Sequence, residues 1–205
     1  MTVLDIQAID AAPLGHDPYD HVIVPGVVTR AALDAANADF PVIERPGSFP
    51  TGQLKYGPGF AALLEALEGP EFARALGSKL GMDLTGKPTM VTVRGRARAT
   101  DGKIHIDSAG KLVTVLLYMN PAWEEPGGQL RLLRSQDNLE DYAVEVPPDE
   151  GTLLAFPCIE NAWHGHQPFE GERRTIQLNW VNSQTYKTRE QVRHSVSAFF
   201  KKLKA

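Results

Sequence analysis

The chain has 205 residues, 42% of them hydrophobic and 22% charged. These are the values of an ordinary globular protein, which excludes disorder and fibrous repeats, and the length fits a single domain over 1–205. The formal net charge of −4 argues against a nucleic-acid partner held through phosphate contacts.

Residues 1–89 are rich in Ala, Leu, Pro and Gly and read as a helical support region. A helix is expected over Thr29–Asp39 with Thr29 as its N-cap, followed by a proline- and glycine-rich loop from Pro41 to Pro58. Two more helices, Gly59–Leu67 and Glu71–Leu80, follow from apolar residues at three- and four-residue spacing. From Met90 the texture changes to strands. Met90–Arg98 alternates, and Leu112–Asn120 is a nearly continuous apolar run, as a strand buried on both faces should be. Gly128–Leu133, Tyr142–Val146, Gly151–Phe156 and Arg174–Val181 complete a β core over 90–183. Short strands at this spacing predict a sandwich or jelly roll. The apolar stripe Val192, Val196, Phe199, Phe200 and Leu203 predicts a C-terminal helix within 184–205. No apolar run approaches the roughly 18 residues of a membrane span. The first residues, with Asp5 and Asp10, lack the pattern of a secretory leader. Cys158 is the only cysteine, so no internal disulfide is available; it follows an apolar strand and reads as a small buried hydrophobe. Together these features predict a cytoplasmic protein with no membrane partner.

The chemistry begins at Ile104-His105-Ile106-Asp107. In an extended strand, positions i and i+2 share a face, so His105 and Asp107 can converge on one ion. A second histidine would complete the facial triad of two imidazoles and a carboxylate that binds non-heme iron and leaves positions open. His164, in Trp163-His164-Gly165-His166, follows the strand Gly151–Phe156, and Arg174 stands ten residues further on. An arginine offers a planar fork for a carboxylate. A triad with a nearby arginine is the minimum machinery for holding a dicarboxylate keto acid.

Along roughly Met90 to Val181 these residues fall in a longer series. It runs through His105-Ile-Asp107, Val113 to Tyr118-Met-Asn120, Trp123 and Gly127-Gly128-Gln-Leu130. It continues with Val146-Pro147-Pro148, Gly151 to Phe156, His164, Pro168, Gly171, Arg174 and Trp180. In order and spacing the series resembles the 2-oxoglutarate- and Fe(II)-dependent dioxygenases, in their prolyl 4-hydroxylase-like branch. The resemblance implies an α+β protein with a mainly β core, a double-stranded β-helix (jelly roll) with N-terminal helices packed on it and a C-terminal helix. It implies Fe(II) bound by His105, Asp107 and His164, with 2-oxoglutarate as co-substrate and O2 as oxidant. Arg174 would pair with the distal carboxylate of 2-oxoglutarate, assisted by the Tyr118 hydroxyl. The expected activity is that of an oxidoreductase hydroxylating a small-molecule or peptidyl substrate, with release of succinate and CO2.

Some residues stand outside this pattern. His166 is a second candidate ligand, or a residue of the pocket. Arg173 should point outward if Arg174 points in. Trp180 shares a face with Arg174 and either walls the metal site or packs in the core. Arg94, Arg96 and Arg98 share one strand face and either meet an anionic substrate or form an exposed edge. Two other readings belong to different classes: a zinc hydrolase using His164, His166 and Asp107, and a jelly-roll binding protein without catalysis.

Overall fold

The computed structural model describes residues 2–188. Four helices lie wholly within the described residues, α1 (Ile6–Ala11), α2 (Arg30–Ala38), α3 (Pro58–Glu68) and α4 (Pro70–Leu80). Ten strands follow the order β1 (Leu14–Gly15), β2 (His21–Val24), β3 (Phe49–Pro50), β4 (Thr89–Ala97), β5 (Lys111–Tyr118), β6 (Leu130–Leu133), β7 (Tyr142–Val146), β8 (Leu153–Pro157), β9 (His164–His166) and β10 (Gly171–Val181). Of the C-terminal helix predicted within 184–205, residues 184–188 are helical; its apolar stripe, Val192, Val196, Phe199, Phe200 and Leu203, lies outside the described residues.

The strands form a seven-stranded sheet, β1-β2-β8-β5-β10-β4-β3, and a three-stranded sheet, β7-β6-β9. Every named pair is antiparallel. The larger sheet has two different faces. Val113, Val115 and Leu117 of β5, Leu153 and Ala155 of β8, and Ile176, Leu178 and Trp180 of β10 turn toward the helices and join one apolar core with Phe60, Leu63, Phe72 and Leu76. Trp180 lies 5.7 Å from Phe72, centroid to centroid. Leu116, Tyr118, Leu154 and Phe156 turn the other way and meet Leu130, Leu132 and Val146 of the smaller sheet. β5 and β8 are therefore apolar on both faces, which explains their unbroken hydrophobic runs. The result is the jelly roll expected from the sequence, with helices backing its larger sheet.

The first 89 residues are less purely helical than expected. β2 pairs with β8 and β3 with β4, so this region extends the larger sheet at both edges. β3 falls inside the predicted 41–58 loop. Strands of two to four residues leave no readable alternation, which is why pattern reading passes over them. Helix α1 is also added, its Asp5 side chain accepting from the Ala8 amide at 3.0 Å. Thr29 stands at the N-cap of α2, but its hydroxyl donates to the Thr2 carbonyl at 2.9 Å and not to the helix. Proline opens both α3 and α4, where a missing N–H costs nothing. Gly81 closes α4 in the left-handed conformation at φ 66°.

Candidate active site

His105 and His164 are brought together by backbone. Each donates its amide to the other's carbonyl at 3.0 Å, as an isolated antiparallel bridge. Their rings lie 4.3 Å apart, centroid to centroid. The Nδ1 of His105 bonds the Lys103 carbonyl at 2.8 Å, and the Nδ1 of His164 bonds the Ala162 carbonyl at 2.9 Å. A carbonyl only accepts, so both Nδ1 atoms carry the proton and both Nε2 atoms keep a lone pair for a metal. Burial, reinforced by the neighbouring His105, lowers the His164 pKa to about 4, so this imidazole is neutral near pH 7.

Asp107 supplies the carboxylate. Burial alone would raise its pKa, but the ammonium of Lys111, 2.7 Å away, together with His164 and the hydrogen bonds from Lys111 and Thr114, holds it below the usual carboxylate value. One chain of side chains fixes this group. Gln177 Nε2 donates to Asn179 Oδ1 at 3.2 Å, Asn179 Nδ2 donates to Thr114 Oγ1 at 2.7 Å, and the Thr114 hydroxyl donates to Asp107 Oδ2. Cys158 lies beside the same carboxylate, its thiol pKa pushed up to about 12 by burial and by the Asp107 charge. Ligand atoms of His105, Asp107 and His164 all lie within 4.8 Å of one another, and no other group of three or more such residues occurs among the described residues. His166 is not part of the cluster; it sits further along the cavity, its Nδ1 bonding the Gln167 carbonyl at 2.8 Å. The set required by the zinc-hydrolase reading is therefore not assembled.

The arginine pair stands in the reverse of the expected orientation. Arg173, with Thr175 and Gln177, lines the cavity that also holds His105, His164 and His166, and this cavity encloses about 100 Å³. Its Nε donates to the Gly128 carbonyl at 2.8 Å and its Nη1 lies 3.4 Å from Thr175 Oγ1. Its guanidinium lies 5.5 Å from the centroid of the Tyr118 ring. Arg174 points to the helix side of the sheet, pairs with Glu172 at 2.7 Å and covers the Phe40 ring at 5.1 Å. Trp180 goes with it: it packs on Phe72, away from the metal-ligand cluster. Alternation along β10 is as expected, with 174, 176, 178 and 180 on one face. The face of β10 that meets the cavity is the one carrying 173, 175 and 177, not the one carrying 174. Ile176, Leu178 and Trp180 are apolar because they meet helices; Thr175, Gln177 and Asn179 are polar because they line the cavity.

Tyr118 does face the cavity side, fully buried, and its hydroxyl finds no hydrogen-bond partner. A buried hydroxyl left unpaired is costly, so this atom marks a place where a polar ligand group belongs. Arg173 likewise has no carboxylate partner among the described residues. The third arginine of interest, Arg94, lines the same cavity, while Arg96 is exposed and Arg98 bonds Asp101.

Asn120 sets the start of this inner row. Its Oδ1 accepts from the Arg174 amide at 2.6 Å, and its Nδ2 donates to the carbonyls of Pro148 at 2.6 Å and Arg174 at 3.1 Å. It thereby pins the residues where the β4–β10 register slips, between Glu172 and Thr175. Asn120→Ala is expected to cost about 1–3 kcal/mol of stability by leaving buried backbone groups unpaired, measured by urea unfolding.

The fold and one stretch of the sequence have counterparts among known proteins. Residues 95–182 match the family model of the 2OG-Fe(II) oxygenase superfamily. Among solved structures, the chain is similar to a prolyl-4-hydroxylase from Pseudomonas putida at 18% identity, covering 87% of this chain and 98% of that one, with a TM-score of 0.57. It is similar to a viral collagen prolyl hydroxylase from Paramecium Bursaria Chlorella virus-1, in its 2OG complex, at 16% identity, covering 79% and 96% with a TM-score of 0.55. It is also similar to the non-heme alpha ketoglutarate dependent epimerase SnoN from nogalamycin biosynthesis, at 13% identity, covering 86% and 82% with a TM-score of 0.53. At these identities the likeness is one of fold. No curated protein matches the chain in sequence.

Proposed function

We propose that this chain, whose residues 95–182 match the 2OG-Fe(II) oxygenase superfamily, is such an oxygenase, works as one unit over its length and hydroxylates a small-molecule or peptidyl substrate, with Arg173 in the anchoring role that the sequence suggested for Arg174. The observation that carries the reading is the convergence of one donor set with one cradle. Two imidazoles whose Nδ1 atoms face backbone carbonyls, leaving Nε2 toward the cluster, and one carboxylate suit Fe(II). The unpartnered Tyr118 hydroxyl and the carboxylate-free Arg173 suit the far end of a dicarboxylate.

In this reading His105, Asp107 and His164 hold the metal, and the Lys103 and Ala162 carbonyls fix the two imidazoles in their ligating tautomer. When bound, the iron supplies O2 activation coupled to oxidative decarboxylation of 2-oxoglutarate to succinate and CO2. Arg173 neutralises the distal carboxylate with a directed pair of N–H groups, while Gly128 and Thr175 hold the guanidinium in place. Tyr118 donates its hydroxyl to the same carboxylate. Gln177, Asn179 and Thr114 keep Asp107 aimed at the metal. A non-catalytic binding protein has no physical use for both a complete triad and a buried arginine without a carboxylate partner. Among the described residues no helix is long and apolar enough to cross a membrane.

The test is succinate release from 2-oxoglutarate across a panel of metabolites and peptides. Turnover is expected to require Fe(II) and O2 and to vanish when Zn(II) replaces iron. Failure of the metal-loaded, oxygen-free protein to bind 2-oxoglutarate would overturn the reading.

A further inference from the structure

Arg94 is the charged residue of the cavity that the proposed reaction leaves unused. It sits on β4 directly opposite Thr175 of β10, and Thr175 is opposite Tyr118 of β5. Residues paired across antiparallel strands share a face, so Arg94, Thr175 and Tyr118 form one inward row. Arg94 lies in the cavity lining with Arg173, His105 and His164. Its guanidinium makes no hydrogen bond or ion pair with any described residue.

The nearby carboxylates are already engaged. Asp107 is paired with Lys111, and Asp101 accepts from both the amide and the guanidinium of Arg98. Arg94 is half-buried; drawing an unpaired cation out of water costs free energy, which a ligand of opposite charge in the cavity would offset. One dicarboxylate does not complete this cavity. With a divalent metal on the triad and 2-oxoglutarate on Arg173, the charges of Lys111 and Arg94 remain in excess.

We propose that Arg94 receives a carboxylate of the primary substrate, so that the molecule oxidised is a small carboxylic acid. The proposal rests on the 2-oxoglutarate reading of the same cavity. It accounts for the division within the Arg94, Arg96, Arg98 row: Arg94 enters the cavity, Arg96 is exposed and Arg98 is held by Asp101.

The experiment uses the full chain, oxygen-free, loaded with Mn(II) and 2-oxoglutarate. The probe is 3,3,3-trifluoropropionate, with its amide as the uncharged counterpart. The paramagnetic ion speeds fluorine relaxation only for a probe held close to the metal site. The acid should show this enhancement on the wild type and the amide should not. Arg94→Met should weaken the acid's binding about tenfold or more, equivalent to about 1.4 kcal/mol, and change 2-oxoglutarate affinity by less than about threefold. Arg94→Lys should keep part of the enhancement, and Arg96→Met should behave as wild type.

Enhancement retained in Arg94→Met, or equal for acid and amide, overturns the proposal. So does absence of enhancement on a wild type that binds Mn(II) and 2-oxoglutarate normally. Loss of 2-oxoglutarate binding in Arg94→Met would also overturn it, and would move Arg94 into the co-substrate anchor. A wild type that binds neither Mn(II) nor 2-oxoglutarate would remove the underlying reading instead. The acid–amide comparison on the wild type does not depend on the folding of any variant.

Discussion

Arg173→Ala is expected to weaken 2-oxoglutarate binding by roughly 30-fold to several thousand-fold, and Arg174→Ala by less than about threefold. Truncating one partner of a buried, hydrogen-bonded charge pair costs about 2–5 kcal/mol, and each 1.4 kcal/mol is about tenfold in affinity. Arg173 is buried in the cavity and hydrogen-bonded to the Gly128 carbonyl, with its guanidinium beside the Tyr118 ring. Arg174 is partly exposed on the opposite face, where its ion pair with Glu172 is of the surface kind that contributes little. Arg173→Lys should recover part of the affinity, keeping the charge and losing the fork. Titration of 2-oxoglutarate into Mn(II)-loaded, oxygen-free variants measures all three, and thermal unfolding of the same samples separates lost binding from lost fold. A large loss in Arg174→Ala with none in Arg173→Ala would reverse the assignment of the two faces.

His164→Ala and Asp107→Ala are each expected to lose Fe(II) affinity by more than the roughly 10–100-fold that follows removal of a group merely supporting a ligand. His166→Ala should retain iron within about that lower limit. The three positions in the cluster offer converging lone pairs within 4.8 Å, whereas His166 lies outside it. Each removal takes away one of three donors and leaves too few to hold the ion against water. Metal content after anaerobic loading and gel filtration gives the comparison. Iron kept by His164→Ala and lost by His166→Ala would place the second imidazole ligand at 166.

The contrast between the two arginines shows what could be read from the sequence. His105 and Asp107 were legible as a pair because they are two apart in extended chain, whereas His164, 57 residues further on, was singled out by its place in the longer series of the resemblance. Tyr118 was singled out through the resemblance, because β5 is apolar on both faces and its pattern alone does not say which face meets the cavity. Choosing between Arg173 and Arg174 required knowing which face of β10 met helices. That is a question of tertiary packing, and spacing from His164 could not answer it. A clue was present in Thr175-x-Gln177-x-Asn179, a polar stripe interleaved with Ile176, Leu178 and Trp180. In a strand covered on both sides, the polar face is the one that lines a hydrated or ligand-filled space. The roles of Lys111 and Asn179 were less accessible still. Lys111 meets Asp107 across a turn only four residues long, but i and i+4 do not face each other in extended chain, so the turn had to be known first. Asn179 meets Thr114 across a strand pair, a contact with no short-range signature. The edge strands β1, β2 and β3 escaped for a different reason, being too short to show a period.

The mutual hydrogen bonds of His105 and His164 bear on the life of the protein between metal atoms. In small zinc domains the ion is the staple, and stripping it unravels the chain. Here the spacing of the two imidazoles is set by two amides and two carbonyls that take no part in coordination. The sheet, and not an ion, thus carries the ordering of the two rings. A ligand set held in this way would take up an ion without the coupled folding of a zinc domain.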